Sequence, residues 1–207
     1  MLKILGKASS INVRKVLWTC DELGLPYQRE DWGSGFQPTD APQFLALNPN
    51  ATVPVIVDGD FVLWESNSIL RYLANQHAGE HLYPATPRAR ASVDQWLDWQ
   101  ATDLNDAWRY AFMALVRQSP AHRDPSLLEA SCAQWTAKMQ LLERRLQDTA
   151  AYVAGDDFSL ADVVIGLSLN RWRRTPLAHP PLPALDAYHA RLSQRAGFLR
   201  HGDNGVA

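Results

Sequence analysis

A predicted β-hairpin at residues 55–64 constrains the fold of this chain more than any other stretch of the sequence. Two apolar, β-prone runs in it flank the dipeptide Asp58-Gly59. A two-residue Asp-Gly connection of this kind is a strong signal for a tight hairpin turn. Pro54 cannot donate to a sheet ladder, which favours a place at the start of the first strand. The sequence therefore predicts a hairpin that leads into a helix beginning at Ser66.

The two ends of this hairpin carry groups that suit an amino-acid-like ligand. If the Val53-Pro54 bond is cis, the backbone of Val53 is turned outward and can pair with an extended peptide. The Ser66 hydroxyl and the first free N–H groups of the following helix can donate to a carboxylate, and Glu65 can hold an ammonium. These residues predict a pocket for an amino-acid-like head group.

Composition excludes several classes of partner and cofactor. Twenty Lys+Arg against 22 Asp+Glu give a formal charge of -2, which provides no field for gathering nucleic acid or an anionic membrane. Cys20 and Cys132 are too few for a disulfide framework or a cysteine-based zinc site, and no metal is expected. The early lysines and the lack of a long apolar run predict a cytoplasmic protein with no membrane partner.

Strand and helix patterns alternate up to about residue 80. Gly24 and Pro26 close an amphipathic helix at residues 12–23. This alternation predicts a small mixed sheet with helices against it. Further strands are expected at residues 2–5 and 27–32, and a short helix at residues 44–47.

The texture changes after a proline-marked linker at residues 81–87. Helical periodicity then predicts a long helix at 88–117, a second at 126–148, a third beginning at Ser159 and a last one at about 183–194. We therefore expect an α/β domain at residues 1–80, followed by an all-α helical bundle at residues 88–207.

Three stretches resemble motifs of the cytosolic glutathione transferases: Asn48–Ile56, Glu65–Leu73 and Phe158–Asp162. Their order and spacing make the chain resemble a serine-type, theta-like bacterial member of that family over nearly its full length. The resemblance implies that the first domain is thioredoxin-like and that the second is helical. It also implies glutathione as co-substrate and, usually, a homodimer.

The resemblance also implies how the thiol of glutathione is activated. Serine-type members place the activating hydroxyl four residues before a basic residue of the first helix, which here selects Ser10 relative to Arg14. Ser9 and Asn12 remain catalytic candidates. A hydroxyl that donates to the sulfur near a helix N-terminus favours the thiolate. The alternative is that Ser9 or Ser10 only caps the first helix.

For the glutathione backbone, the resemblance implies contacts with both ends of the hairpin. The Val53 backbone is expected to pair with the cysteinyl part, held in place by Pro54, while Glu65 and Ser66 clasp the γ-glutamyl end. Many relatives have Gly-Lys or Gly-Gln where this chain has Ala51-Thr52. We therefore expect either Thr52 or a basic residue of the loop at residues 32–43 to meet the glycine carboxylate.

The second domain is expected to contact a small hydrophobic electrophile. Its long first helix carries an apolar set suited to such a substrate, consisting of Trp108, Tyr110, Phe112, Met113 and Val116. Each of them is more often a core or dimer residue. The cluster Arg171–Arg174 is expected to be a solvated helix end.

The leading hypothesis is an enzyme that conjugates the glutathione thiolate to the electrophile. One alternative is a non-catalytic glutathione-binding module that has lost thiol activation. Another is a glutathione-dependent isomerase of the zeta type, although Ile11 stands where that type has cysteine. A peroxidase needs the same thiolate, so the sequence does not separate it from a conjugating enzyme.

Overall fold

The computed structural model describes residues 1–206, which form two compact units. The first is Met1–Tyr83, and the second begins at Pro84. The predicted succession of an α/β domain and an all-helical domain is confirmed. Leu82 and Tyr83, which the sequence assigned to the linker, are buried, and the linker at residues 81–87 stays a prediction.

A four-stranded mixed sheet organises the first unit. Its strands are β1 (Leu2–Leu5), β2 (Tyr27–Glu30), β3 (Val55–Asp58) and β4 (Phe61–Trp64). Their order is β2-β1-β3-β4, with β1 parallel to β2 and β3 antiparallel to both of its neighbours. The predicted hairpin is therefore present. The second strand is shorter than predicted, because its pairing with β1 ends at Glu30.

Three helices accompany the sheet: α1 (Ile11–Glu22), α2 (Pro42–Leu45) and α3 (Ser66–Gln76). Helices α1 and α3 pack against each other. The apolar faces that the sequence pattern predicted are buried in both, including Val16 and Cys20 in α1 and Leu73 in α3. Cys20 is therefore a core residue, as expected, and burial raises the pKa of its thiol to about 12.

The second unit is helical, with one departure from the predicted pattern. The expected single helix at 88–117 consists of α4 (Pro87–Trp99), a π-helical segment (Gln100–Leu104) and α5 (Asn105–Leu115). The prediction of one regular α-helix was wrong, because the 3.6-residue pattern carries no signal for the wider turns. The remaining elements are α6 (Pro125–Thr149), α7 (Leu160–Arg174), α8 (Pro183–Leu192) and a second π-helical segment (Phe198–Gly202).

The start of α7 is the polar centre of this helical unit. Ser159 is its N-cap, and the Asp162 carboxylate accepts hydrogen bonds from the N–H and the hydroxyl of Ser159. The other carboxylate oxygen accepts from the Val153 N–H and the Tyr188 hydroxyl, at 3.0 and 2.8 Å. Asp162 is fully buried. The capping motif seen in the sequence thus ties the preceding loop and α8 to α7.

No helix within residues 1–206 combines the length and the apolar composition that crossing a membrane requires.

Candidate functional site

The loop between β1 and α1 presents the candidate thiol-activating residues. Ser10 is the N-cap of α1, with its N–H bonded to the Lys7 carbonyl and its carbonyl accepting from the Arg14 N–H at 2.9 Å. Its side chain makes no capping hydrogen bond. Within residues 1–206, the side chains of Ser9 and Asn12 likewise form no hydrogen bond. The Ser10 hydroxyl is therefore free to donate beside the unpaired N–H groups of the first helical turn.

Gly6 brings this loop against the segment that contains Val53. A β-carbon placed on Gly6 would lie 2.5 Å from Val13 Cγ2 and 3.1 Å from Val53 Cβ. Both distances are shorter than a side chain tolerates without displacement, and Gly6 also has a positive φ of 150°. The close approach requires glycine, and it places the start of α1 and the Val53 backbone in the same part of the unit.

The Val53-Pro54 bond is cis, as the sequence analysis considered. The Val53 side chain packs against a buried cluster that includes Leu5, Phe44 and Val55. Within residues 1–206, the Val53 backbone takes no part in the β ladder, which begins at Val55. Its N–H and C=O therefore remain available to an extended peptide.

Asn48 fixes the turn that leads into the cis bond. Its buried side-chain amide donates to the Thr52 carbonyl at 2.8 Å and to Thr52 Oγ1 at 3.2 Å. Its Oδ1 accepts from the N–H and the side-chain amide of Asn50. Ala51 in this turn has a φ of 53°, which side chains rarely adopt. The sequence analysis named Asn48 only as the first residue of the stretch Asn48–Ile56 and missed its part in shaping the candidate site.

The second half of the site is the start of α3. Glu65 is exposed and has a φ of 71° and a ψ of 110°, a strained conformation for a residue with a side chain. Strained residues of this kind concentrate at ligand sites. Ser66 follows it and is buried, and its helix has no side-chain cap. The N–H groups of the first turn are therefore left without partners inside the helix.

A buried side-chain contact connects the helices that carry the two halves. Lys15 of α1 donates from Nζ to Oδ1 of Asn67 at 3.2 Å. Lys15 is 1% exposed and Asn67 is 9% exposed. The sequence analysis missed this pair, because a lysine on an amphipathic helix is ordinarily solvated.

All four strands end or begin at the same edge of the sheet, and this edge carries the site. The chain enters β3 there through Val53-Pro54 and leaves β4 there into Glu65 and Ser66. Strands β1 and β2 also end there, because Leu5 pairs with both Val55 and Glu30. Four of the predicted residues thus lie in loops at one edge, and the fifth lies at the start of α3 there: Ser10, Val53, Pro54, Glu65 and Ser66.

Members of the apolar set at residues 108–116 make contacts within the helical unit, and their part in an electrophile site stays a prediction. The Tyr110 hydroxyl accepts from the Asp124 N–H at 2.9 Å, which gives it a structural role. Phe112 is buried, and its ring lies 5.4 Å from that of Trp108. An open cavity of about 810 Å³ between α5, α6 and residues 176–180 is lined by none of the five residues of this set.

The expectation that the cluster Arg171–Arg174 is solvated was wrong for Arg171. Its guanidinium carbon lies 4.5 Å from the centre of the Trp108 ring and 4.2 Å from that of Phe112. Arg171 is 4% exposed, so cation–π contacts hold this charge inside the helical unit. Arg173 and Arg174 do form surface ion pairs, with Asp186 and Asp203.

Among the described residues 1–206, no three His, Cys, Asp or Glu side chains come together in a way that could hold a metal ion. Burial raises the pKa of the Cys132 thiol.

Comparison with known proteins places the chain in a family. The model of the glutathione S-transferase N-terminal domain matches residues 9–76, and the model of the C-terminal domain matches residues 106–196. The chain is 36% identical over 197 residues to glutathione S-transferase GstB of Escherichia coli, with 94% of each chain covered. It is 35% identical over 127 residues to human glutathione S-transferase theta-1, covering 58% of this chain and 52% of that protein.

A solved structure agrees with these sequence matches. The theta class glutathione S-transferase of Xanthomonas axonopodis pv. citri, crystallised with glutathione bound, superposes with a TM-score of 0.89 at 38% identity. The superposition covers 100% of this chain and 99% of that one. The chain belongs to the glutathione S-transferase family, as a theta-like bacterial member.

Proposed function

We propose that this glutathione S-transferase joins the thiolate sulfur of glutathione to an electrophilic carbon of a small hydrophobic substrate. The observation that carries the proposal is the uncommitted hydroxyl of Ser10 at the start of α1. Gly6 holds that start against the Val53 segment. The Ser10 hydroxyl and the Val53 backbone, which would pair with the peptide, therefore lie in the same part of the first unit.

In the proposed complex, glutathione lies extended along the edge of the sheet. The first N–H groups of α3 and the Ser66 hydroxyl donate to the γ-glutamyl carboxylate, and Glu65 accepts from the ammonium. The Val53 backbone pairs with the cysteinyl part. The strained conformation of Glu65 supports this assignment, because strained residues concentrate at ligand sites.

Ser10 acts on the sulfur without taking or giving a proton. Its hydroxyl donates a hydrogen bond to the thiolate, and the positive end of α1 adds to the stabilisation. The thiolate attacks the electrophilic carbon and forms a carbon–sulfur bond, and the leaving group departs with the electron pair of the bond that breaks. The alternative donors are Ser9, in the same loop, and Asn12, in the first turn of α1.

A homodimer, a cytoplasmic location and the apolar surface of α5 as the electrophile site stay predictions. The competing function is a non-catalytic glutathione-binding module, since it would bind the γ-glutamyl end through the same residues, Glu65 and Ser66. The chain has isoleucine at residue 11 rather than the cysteine of the zeta type, which disfavours the isomerase.

The test compares wild type with Ser10→Ala in glutathione binding, thiolate absorbance and turnover of an activated chloronitrobenzene. We expect wild type to bind glutathione as the thiolate near neutral pH. The variant should bind it with little loss but show about 10–100-fold slower conjugation, because hydrogen bonds to charged groups contribute about 1.5–3 kcal/mol. Wild-type binding without thiolate and without turnover would identify the chain as a binding module.

A further inference from the structure

The side chain of Lys7 crosses from the β1–α1 loop to the loop that follows β2. Its Nζ donates to the Ser34 carbonyl at 3.1 Å. Its backbone is fixed on both sides, because its N–H donates to the Trp32 carbonyl and its carbonyl accepts from the Ser10 N–H. Lys7 therefore has a defined place three residues before the proposed thiolate donor.

The ammonium of Lys7 has a neutral partner only. Among the described residues 1–206, it forms no ion pair with a carboxylate, and the Ser34 carbonyl accepts its one hydrogen bond. Lys7 is partly buried. A partly desolvated cation that is not neutralised by the protein attracts an anionic ligand group.

The sequence analysis expected Thr52 or a basic residue of the loop at residues 32–43 to contact the glycine carboxylate, but neither position provides a cation. The loop at residues 32–43 contains no lysine or arginine, so that expectation was wrong. The Thr52 hydroxyl is exposed, and it already accepts a hydrogen bond from the side-chain amide of Asn48. The ammonium of Lys7 does reach the loop after β2, where the Ser34 carbonyl accepts its hydrogen bond, whereas Arg29, which also reaches it, is paired with the Asp31 carboxylate.

The order of the strands places Lys7 at the correct end of an extended tripeptide. Helix α3 follows β4 at one side of the sheet, Val53 precedes β3 in the middle, and the loop after β2 lies at the other side. Neighbouring strands are about 4.8 Å apart, so the edge spans about 14 Å. An extended peptide advances about 3.5 Å per residue, which lets one tripeptide reach across most of that distance.

We propose that Lys7 binds the glycine carboxylate of glutathione. It would do so in place of the lysine or glutamine that many relatives have at the position of Thr52. The proposal rests on the proposed function, since it assumes that the γ-glutamyl end lies at α3 and the cysteinyl part at Val53. The sulfur then faces Ser10, and the carboxyl end of the ligand points toward the Lys7 ammonium. Lys7 thereby distinguishes glutathione from thiols that lack the terminal carboxylate.

The test is a thermodynamic cycle in which the Lys7 charge is removed from the protein, the carboxylate charge from the ligand, or both. Dissociation constants are measured for glutathione and for its glycine amide, which lacks the carboxylate, with wild type and Lys7→Met. We expect Lys7→Met to weaken glutathione binding by about tenfold and binding of the amide by less than about twofold. Lys7→Arg keeps the charge and should retain most of the difference between the ligands.

Lys3→Met is the matched control, because Lys3 is an exposed lysine of β1 that pairs with Glu30. It should leave both affinities unchanged. Thermal unfolding checks that the Lys7 variant is folded, and Lys7→Gln replaces it if the methionine variant is not. The assignment would be overturned if Lys7→Met weakened the binding of glutathione and of its glycine amide equally. It would also be overturned if Thr52→Val, and not Lys7→Met, removed the difference in affinity between the two ligands. If wild type binds neither ligand, the proposed function itself fails.

Discussion

At the scale of single residues, the site combines backbone conformations that ordinary sequences avoid. Glu65 has a positive φ although it is not glycine, and Gly6 has no room for a β-carbon. Glycine at residue 65 would relieve the strain but would remove the carboxylate that we propose as the partner of the γ-glutamyl ammonium. We therefore interpret Glu65 as a residue at which stability is reduced in favour of binding.

Glu65→Gly and Glu65→Ala separate the strain from the binding function. We expect both variants to weaken glutathione binding by about tenfold or more, because each removes one partner of a charge pair. Only Glu65→Gly should raise the free energy of unfolding, by about 1 kcal/mol, because it alone relieves the positive φ. Chemical denaturation and titration calorimetry measure the two effects.

Ala78→Gly is the matched control for this prediction. Ala78 lies in the same unit, is exposed and has a φ of 53°. The substitution should raise stability without changing glutathione affinity. A stability gain in Glu65→Ala equal to that in Glu65→Gly would show that the strain at residue 65 has been misread.

At the scale of elements, helices α1 and α3 must keep a fixed relation for the site to exist. One carries the proposed thiolate donor at its N-terminus, and the other carries the proposed head-group donors at its own N-terminus. The buried contact between Lys15 and Asn67 lies one turn inside α1 and at the first turn of α3. It is therefore suited to hold the two helix starts in register.

A double-mutant cycle of Lys15→Met and Asn67→Leu tests this coupling. We expect each single variant to weaken glutathione binding severalfold, and the double variant to lose less than the sum, with a coupling of about 1 kcal/mol. The affinities are measured by calorimetry well below the unfolding temperature. Additive losses in affinity would mean that the two side chains act independently and do not position the site.

Elements of the fold differ in how far the sequence predicted them. The hairpin, α1 and the start of α7 were predictable, because turn chemistry and capping are local properties of neighbouring residues. The contact of Lys7 with Ser34 and the burial of Arg171 were not, because both depend on residues distant in the chain.

At the scale of the whole molecule, stability in the helical unit depends on one buried carboxyl group. Asp162 connects residues from three segments of the chain: Val153, Ser159 and Tyr188. Burial raises its pKa from 3.8 to about 6, although all of its hydrogen-bond donors act in the opposite direction. The folded state therefore retains a proton that the unfolded chain releases.

The contribution of Asp162 to stability should decrease as the pH rises from its unfolded to its folded pKa and then remain constant. The folded protein binds the additional proton in that interval, so the free energy of unfolding falls with rising pH. Asp162→Asn cannot titrate and should be less stable overall by about 1–3 kcal/mol, because its amide nitrogen faces donors. Unfolding temperatures of both proteins, measured between pH 4 and about 7, give the difference, which should shrink as the pH increases. A difference independent of pH would contradict the raised pKa.

The wide turns at residues Gln100–Leu104 have a geometric consequence for the helical unit. They change the rotation per residue between α4 and α5, so the length of this segment sets the side-chain directions of α5 relative to those of α4. Removing one residue there would rotate everything on one side by about 100° relative to the other. Trp108 and Phe112 would then move away from Arg171, and its guanidinium would lose both of its ring contacts.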